Sequence, residues 1–180
     1  MKKDIQEVIE IPEGVKVEIE GGRIRISKGD AVLEKKLEYT GRVDGNKIIL
    51  EKEKASKKDK KLIKSTFAHI TNLLSGLDKK YTYKLQICSV HFPMNVSVKE
   101  NELIIKNFLG EVKERKAKIL AGVNVKIDKE VIIIESNDKE KAGQTAANME
   151  KATRICNRDK RVFQDGIYII EKEKGVRQKK

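Results

Sequence analysis

Ile11-Pro12-Glu13-Gly14-Val15-Lys16-Val17 returns 81 positions later as Phe92-Pro93-Met94-Asn95-Val96-Ser97-Val98. Each stretch has an apolar residue, a proline, and then two valines one residue apart. The alternation continues with Ile24 and Ile26 in the first copy and Leu103 and Ile105 in the second. A period of two is the mark of a strand with one buried face. Self-similarity at a fixed offset indicates a repeated supersecondary unit. The reading is therefore a tandem duplication.

Working outward, each copy reaches a short apolar run, Ile48-Ile49-Leu50 and Val131 through Ile134. β-Branched residues dominate both runs, which favours strands. A helix start follows each: Ser56 with Asp59, and Asn137 with Glu140, both in capping-box spacing. Ile63, Phe67, Ile70, Leu74 and Leu77 fall on one face of the first helix. Thr145, Met149, Ala152 and Cys156 do the same in the second, where Ala142, Ala146 and Ala152 allow close approach to a sheet. A strand is expected after each helix, over Tyr83 to Val90 and over Ile167 to Ile170. Turn signals stand at Gly21-Gly22, at Gly41 with Asp44-Gly45, and at Glu100-Asn101. The expected fold is α+β: two similar tandem domains, each a mostly antiparallel β-sheet with one helix packed on it. The boundary is expected near Lys79 to Tyr81. That gives a first repeat over residues 1–80 and a second, with a basic C-terminal tail, over residues 81–180.

Charge narrows the function. Lys and Arg total 40 against 28 Asp and Glu, a formal net charge of +12 over 180 residues. A surplus of that size points to a polyanion. The alternative is a Lys- and Glu-rich solvated surface, which accounts for the 38% charged residues but not for the surplus. Aromatic residues make up only 4% and Trp is absent, so stacked platforms for single strands are scarce. Many cations with few rings suit the phosphates and shape of folded RNA or duplex.

The surplus gathers at the C-terminal end, where residues 151–180 hold ten cations against four acids. Arg154, Arg158 and Arg161 follow the second helix, where positive charge favours the helix dipole. Lys174 to Lys180 have no apolar periodicity and read as a basic tail that orders on RNA. Lys57, Lys58, Lys60, Lys61 and Lys64 open the first helix and read as a solvated face or as a phosphate contact, with Glu51 and Glu53 diluting the patch.

Enzymatic signatures are missing. His69 and His91 have no Cys or second His at metal-ligand spacing, and no Gly-rich phosphate loop is present. Cys88 and Cys156 read as small core residues, and two cysteines make no disulfide framework, so a reducing cytosol is expected. No apolar run approaches a membrane span, and the first ten residues lack a signal-peptide core. A DNA-binding module, a protein-interaction scaffold and an enzyme acting on nucleic acid remain as rival readings.

Two stretches carry a family resemblance. Lys139-Glu140-Lys141-Ala142-Gly143-Gln144-Thr145-Ala146-Ala147 resembles the last helix of the universal sixth protein of the large ribosomal subunit, and Asp165-Gly166-Ile167-Tyr168 resembles the approach to its final strand. The element order, the duplicated halves and the basic tail are also similar, and the likeness covers nearly the whole chain. The Arg158-Asp159 to Tyr168 segment looks like the archaeal and eukaryotic branch. The resemblance implies a non-enzymatic, cytoplasmic ribosomal protein without cofactor or metal. It implies that large-subunit ribosomal RNA is held mainly by the second domain. It also implies a place near the stalk base and the sarcin–ricin region, beside neighbouring ribosomal proteins, where translational GTPases dock.

Carried onto this chain, it implies RNA contacts from Lys139, Lys141 and Lys151 on the second helix and from Arg154, Arg158, Lys160 and Arg161 beyond it. Lys172, Lys174, Arg177, Lys179 and Lys180 complete the set at the chain end. Bacterial members have lysine and glycine just before the Gly-Ile pair, whereas Gln164 and Asp165 stand here. That difference moves the expected phosphate contact from the loop tip to Arg158, Lys160 and Arg161.

Overall fold

The alternating segments form antiparallel strands in a computed structural model that describes residues 3–29, 31–39 and 41–172. The chain divides into two units, Met1–Lys79 and Lys80–Lys180. Unit 1 runs β1 (Lys3–Glu10), β2 (Lys16–Glu20), β3 (Arg23–Lys28), β4 (Ala31–Lys36), β5 (Arg42–Asp44), β6 (Lys47–Ala55) and α1 (Lys57–Asp78). Its sheets have the orders β1-β6-β5 and β2-β3-β4. Ile9, Ile24, Ile26, Ile48 and Leu50 from both sheets meet Ile63, Ile70 and Leu74 of α1 in one core.

Unit 2 repeats the plan with β7 (Tyr81–Cys88), β8 (Asn95–Lys99), β9 (Glu102–Lys106), β10 (Arg115–Lys118), β11 (Asn124–Asp128), β12 (Val131–Ser136) and α2 (Lys139–Ala152). It then adds β13 (Gly166–Lys172). The sheets are β10-β9-β8 and β11-β12-β7-β13. Tyr81, Tyr83, Leu85 and Ile87 of β7 alternate inward to join Leu103, Ile105, Ile132 and Ile134 under α2.

The strand expected after the first helix is β7, which lies past the expected boundary, opens the second unit and pairs with β12 as β1 pairs with β6. Among the described residues only unit 2 has a strand after its helix, and β13 takes the second edge of β7.

Two local expectations also change. Ser56 caps α1 in a reciprocal box with Asp59, as the spacing implied. In α2 the cap is Asp138 rather than Asn137, because Asp138 Oδ1 accepts the Glu140 N–H at 2.9 Å. The apolar stripe of α2 does not extend to Cys156. Thr153 leaves helical geometry, the phase slips by one, and Ile155 is buried while Cys156 is exposed.

Small residues seat α2 on the sheet, since Ala142 and Ala146 are fully buried. A Cβ at Gly143 would lie 3.2 Å from the Tyr83 hydroxyl, so the helix touches β7 there. Enlarging such a site forces displaced side chains and backbone. Ala146→Leu should lower unfolding free energy by about 1–3 kcal/mol, read by urea denaturation. Ser56→Ala should lower it by about 1 kcal/mol through loss of the α1 cap.

Candidate nucleic-acid interface

Residues 153–165 connect α2 to β13 and hold four of the cations singled out above, Arg154, Arg158, Lys160 and Arg161. Both ends of this loop are anchored. At its start, the buried Thr153 hydroxyl accepts the Ile167 N–H at 2.9 Å and faces the Glu150 carbonyl at 3.3 Å. Arg115 of β10 reaches across and donates to the Ala152 carbonyl at 2.9 Å and the Arg154 carbonyl at 3.2 Å. Its guanidinium lies 4.2 Å from the Phe108 ring centroid and is gripped by both carboxylate oxygens of Glu111. A cation on the last carbonyls of a helix satisfies orphan acceptors and opposes the dipole. Arg115 thus fixes the C-terminal end of α2, while Arg154, Arg158 and Arg161 are left exposed.

At the far end stands Asp165, whose side chain is buried. It accepts the backbone N–H of Val90 at 2.7 Å and of His91 at 2.9 Å. Its other oxygen meets His91 Nδ1 at 2.6 Å. The His91 ring stacks on Phe163 with centroids 5.0 Å apart, and the Arg158 guanidinium lies 4.9 Å from the same Phe163 ring. Burial pushes the Asp165 carboxyl up, but the His91 and Val90 donors outweigh it and leave the carboxyl below its usual range. Between the anchors, Asp159 turns the chain: its Oδ1 accepts the Arg161 N–H at 2.9 Å, and its carbonyl accepts the Phe163 N–H at 3.0 Å. The Tyr168 hydroxyl donates to the Gln164 carbonyl at 3.1 Å.

The expected contact residues fall into two groups. Lys151, Arg154, Arg158, Lys160 and Arg161 lie together at the C-terminal end of α2 and along the loop, and all five are exposed. Lys139 and Lys141 lie at the opposite end of α2, about 20 Å away for a helix of 14 residues. Lys172 lies there too, at the end of β13 opposite Tyr83, while the Lys139 ammonium sits 5.7 Å from the Tyr81 ring centroid. Lys174, Arg177, Lys179 and Lys180 lie outside the described residues.

Two acids near the loop are occupied: Asp165 is held by His91 and Glu111 by Arg115. Among the described residues, Lys151, Arg154, Lys160 and Lys172 have no carboxylate within ion-pair distance, and Arg161 has only Asp159 at 3.8 Å. Some cations elsewhere are paired: Arg23 and Arg25 with Glu34, Lys28 with Asp78, Arg42 with Glu51, Lys106 with Glu114, and Lys116 with Glu102. The loop and the last turn of α2 gather five exposed cations in a short stretch. At the start of α1, Asp59 is taken by Ser56 and Lys52, and Glu51 by Arg42. Lys57, Lys58, Lys61 and Lys64 are exposed there.

Sequence reasoning missed Arg115, His91 and Phe163, whose partners lie 37 to 74 residues away for Arg115 and His91. It counted Asp165 as a surface acid offsetting the tail, whereas the carboxylate is inside the fold. His69 is half-buried at the edge of α1, beside Lys35 and Ser65. No cluster of three His, Cys, Asp or Glu able to hold a metal occurs among the described residues. Among those residues no helix is long and apolar enough to cross a membrane.

Comparison with known proteins agrees with this arrangement. A family model described as ribosomal protein L6 matches residues 92–166. The large ribosomal subunit protein uL6 of Methanococcus vannielii is 42% identical over 171 residues, which cover 93% of this chain and 94% of the relative. The protein of the same name from Sulfurisphaera tokodaii is 44% identical over 173 residues, covering 94% and 93%.

A carboxyl held low by the fold stabilises it fully above the unfolded-chain value, about pH 4. That stability is lost as pH falls through the lower folded value. Thermal unfolding followed from pH 7 to pH 2 should therefore show the wild-type melting temperature falling toward that of Asp165→Asn on acidification. A gap that stays constant with pH would show that the carboxylate charge is irrelevant.

Proposed function

The chain belongs to the ribosomal protein L6 family, and from that premise we propose that unit 2 clamps folded large-subunit ribosomal RNA through the 153–165 loop. It is a protein of the large ribosomal subunit, structural rather than enzymatic, and it works on the cytoplasmic ribosome in association with ribosomal RNA and other ribosomal proteins. One observation carries the finer reading. Five exposed cations, Lys151, Arg154, Arg158, Lys160 and Arg161, gather along the loop and the last turn of α2, and of these only Arg161 makes an ion pair among the described residues, with Asp159 at 3.8 Å. Phosphate oxygens supply the missing negative charge and release counterions on binding.

The loop cations contact phosphate, and Arg154, Arg158 and Arg161 offer bidentate geometry for it. Lys139, Lys141 and Lys172, with Lys174, Arg177, Lys179 and Lys180 following in sequence, form the second contact at the other end of α2. Unit 2 then touches two stretches of RNA backbone and fixes one relative to the other. With few aromatic side chains, binding relies on the shape and phosphates of folded RNA. The family resemblance supports a position near the stalk base and the sarcin–ricin region, with translational GTPases docking close by.

Arg154→Ala, Arg158→Ala and Arg161→Ala combined should leave the melting temperature nearly unchanged and deplete the protein from large subunits on a high-salt sucrose gradient. If about six phosphates are engaged, wild-type affinity for protein-free large-subunit RNA should fall with log salt at a slope of about −4 to −5. A slope near zero, or equal competition by duplex DNA, would sink the clamp.

A further inference from the structure

We propose that His91 is a positioning residue for the RNA contact, holding Arg158 in place through the Phe163 ring while Asp165 fixes the imidazole. This rests on the reading of the loop as an RNA-binding surface and adds a residue that does not itself need to meet RNA. His91 follows β7 and is remote in sequence from the loop it braces. An exposed arginine on a 13-residue loop would sample many rotamers, and each one frozen on binding costs affinity. Here Arg158 already has a platform, because its guanidinium lies 4.9 Å from the Phe163 centroid. Planar guanidinium groups stack well on aromatic faces.

Phe163 is in turn placed by two contacts: its backbone N–H donates to the Asp159 carbonyl at 3.0 Å, and its ring stacks on His91 at 5.0 Å with 30° between planes. The imidazole cannot turn freely, because Nδ1 is held at 2.6 Å by a carboxylate that also takes two backbone N–H groups. The order is buried acid, imidazole, phenyl, guanidinium. Its rigid end lies in the fold and its free end faces solvent. Prepaid ordering of this kind lowers the entropic cost of binding without adding a contact.

The test is a double-mutant cycle on the full chain, with protein-free large-subunit ribosomal RNA as probe at fixed salt. His91→Ala should weaken binding about fivefold, in the range found for coupled neighbours. Added to Arg158→Ala, it should cost less than about twofold, since the group it positions is gone. Phe163→Leu should behave like His91→Ala. A second readout is independent of RNA: the Arg158 side-chain protons should lose their ring-current shift in His91→Ala, as seen by nuclear magnetic resonance. If His91→Ala proves unstable, His91→Gln keeps a donor for Asp165 but no ring, and should still lose the shift and the coupling. Equal losses with and without Arg158, or an unchanged shift, overturn the proposal. A wild-type chain that fails to bind the RNA overturns the RNA reading itself, and that control separates the two failures.

Discussion

Asp165 carries a negative charge inside a protein that has a surplus of positive ones, and it does not sit beside any lysine or arginine of the loop. Its oxygens are taken by the Val90 and His91 N–H groups and by the His91 ring. A buried carboxylate without such partners would be strongly destabilising. Given them, it becomes a fixed point where the end of β7, the loop after α2 and the start of β13 meet. Gly166 follows it directly with φ +155, a conformation side chains resist, and a Cβ there would meet the Tyr168 ring at 3.2 Å. The turn from loop to strand is set by this pair of residues.

A fixed backbone is what allows cations to crowd. Two unit charges 4 Å apart in water repel by only about 1 kcal/mol, and salt screens them further. Such repulsion could deform a loosely held loop but cannot unseat one anchored at Thr153 and Asp165. Arg115 adds a third anchor on the helix end. Two acids beside the loop, Asp165 and Glu111, are engaged by His91 and Arg115 in holding its anchors.

The duplication was legible because it is written in local periodicity: Val15 and Val17 against Val96 and Val98, and two helices with apolar stripes. Ser56 was legible as a cap because its partner Asp59 is three residues on. The equivalence of β1 with β7 was hidden, since β1 turns Ile5, Glu7 and Ile9 inward and leaves Val8 outward, which blurs its alternation. Cys156 was misplaced because a helix stripe gives no notice of where the helix stops. The basic cluster could be read from composition, but its division between the two ends of α2 depends on how α2, β7 and β13 run past one another. His91 carried no local signal at all, its partner being 74 residues distant.

An extra strand after the second helix also changes what each position of the intervening loop is free to become. With β13 locked on β7, the loop cannot relax by shifting its ends, so Asp159, Phe163, Asp165 and Gly166 are bound to the internal geometry. Val162, whose side chain faces water, answers to no such demand. Sequence drift within a single stretch of thirteen residues should consequently run at two speeds, with the scaffold positions nearly frozen and the outward ones tracking whatever surface they meet.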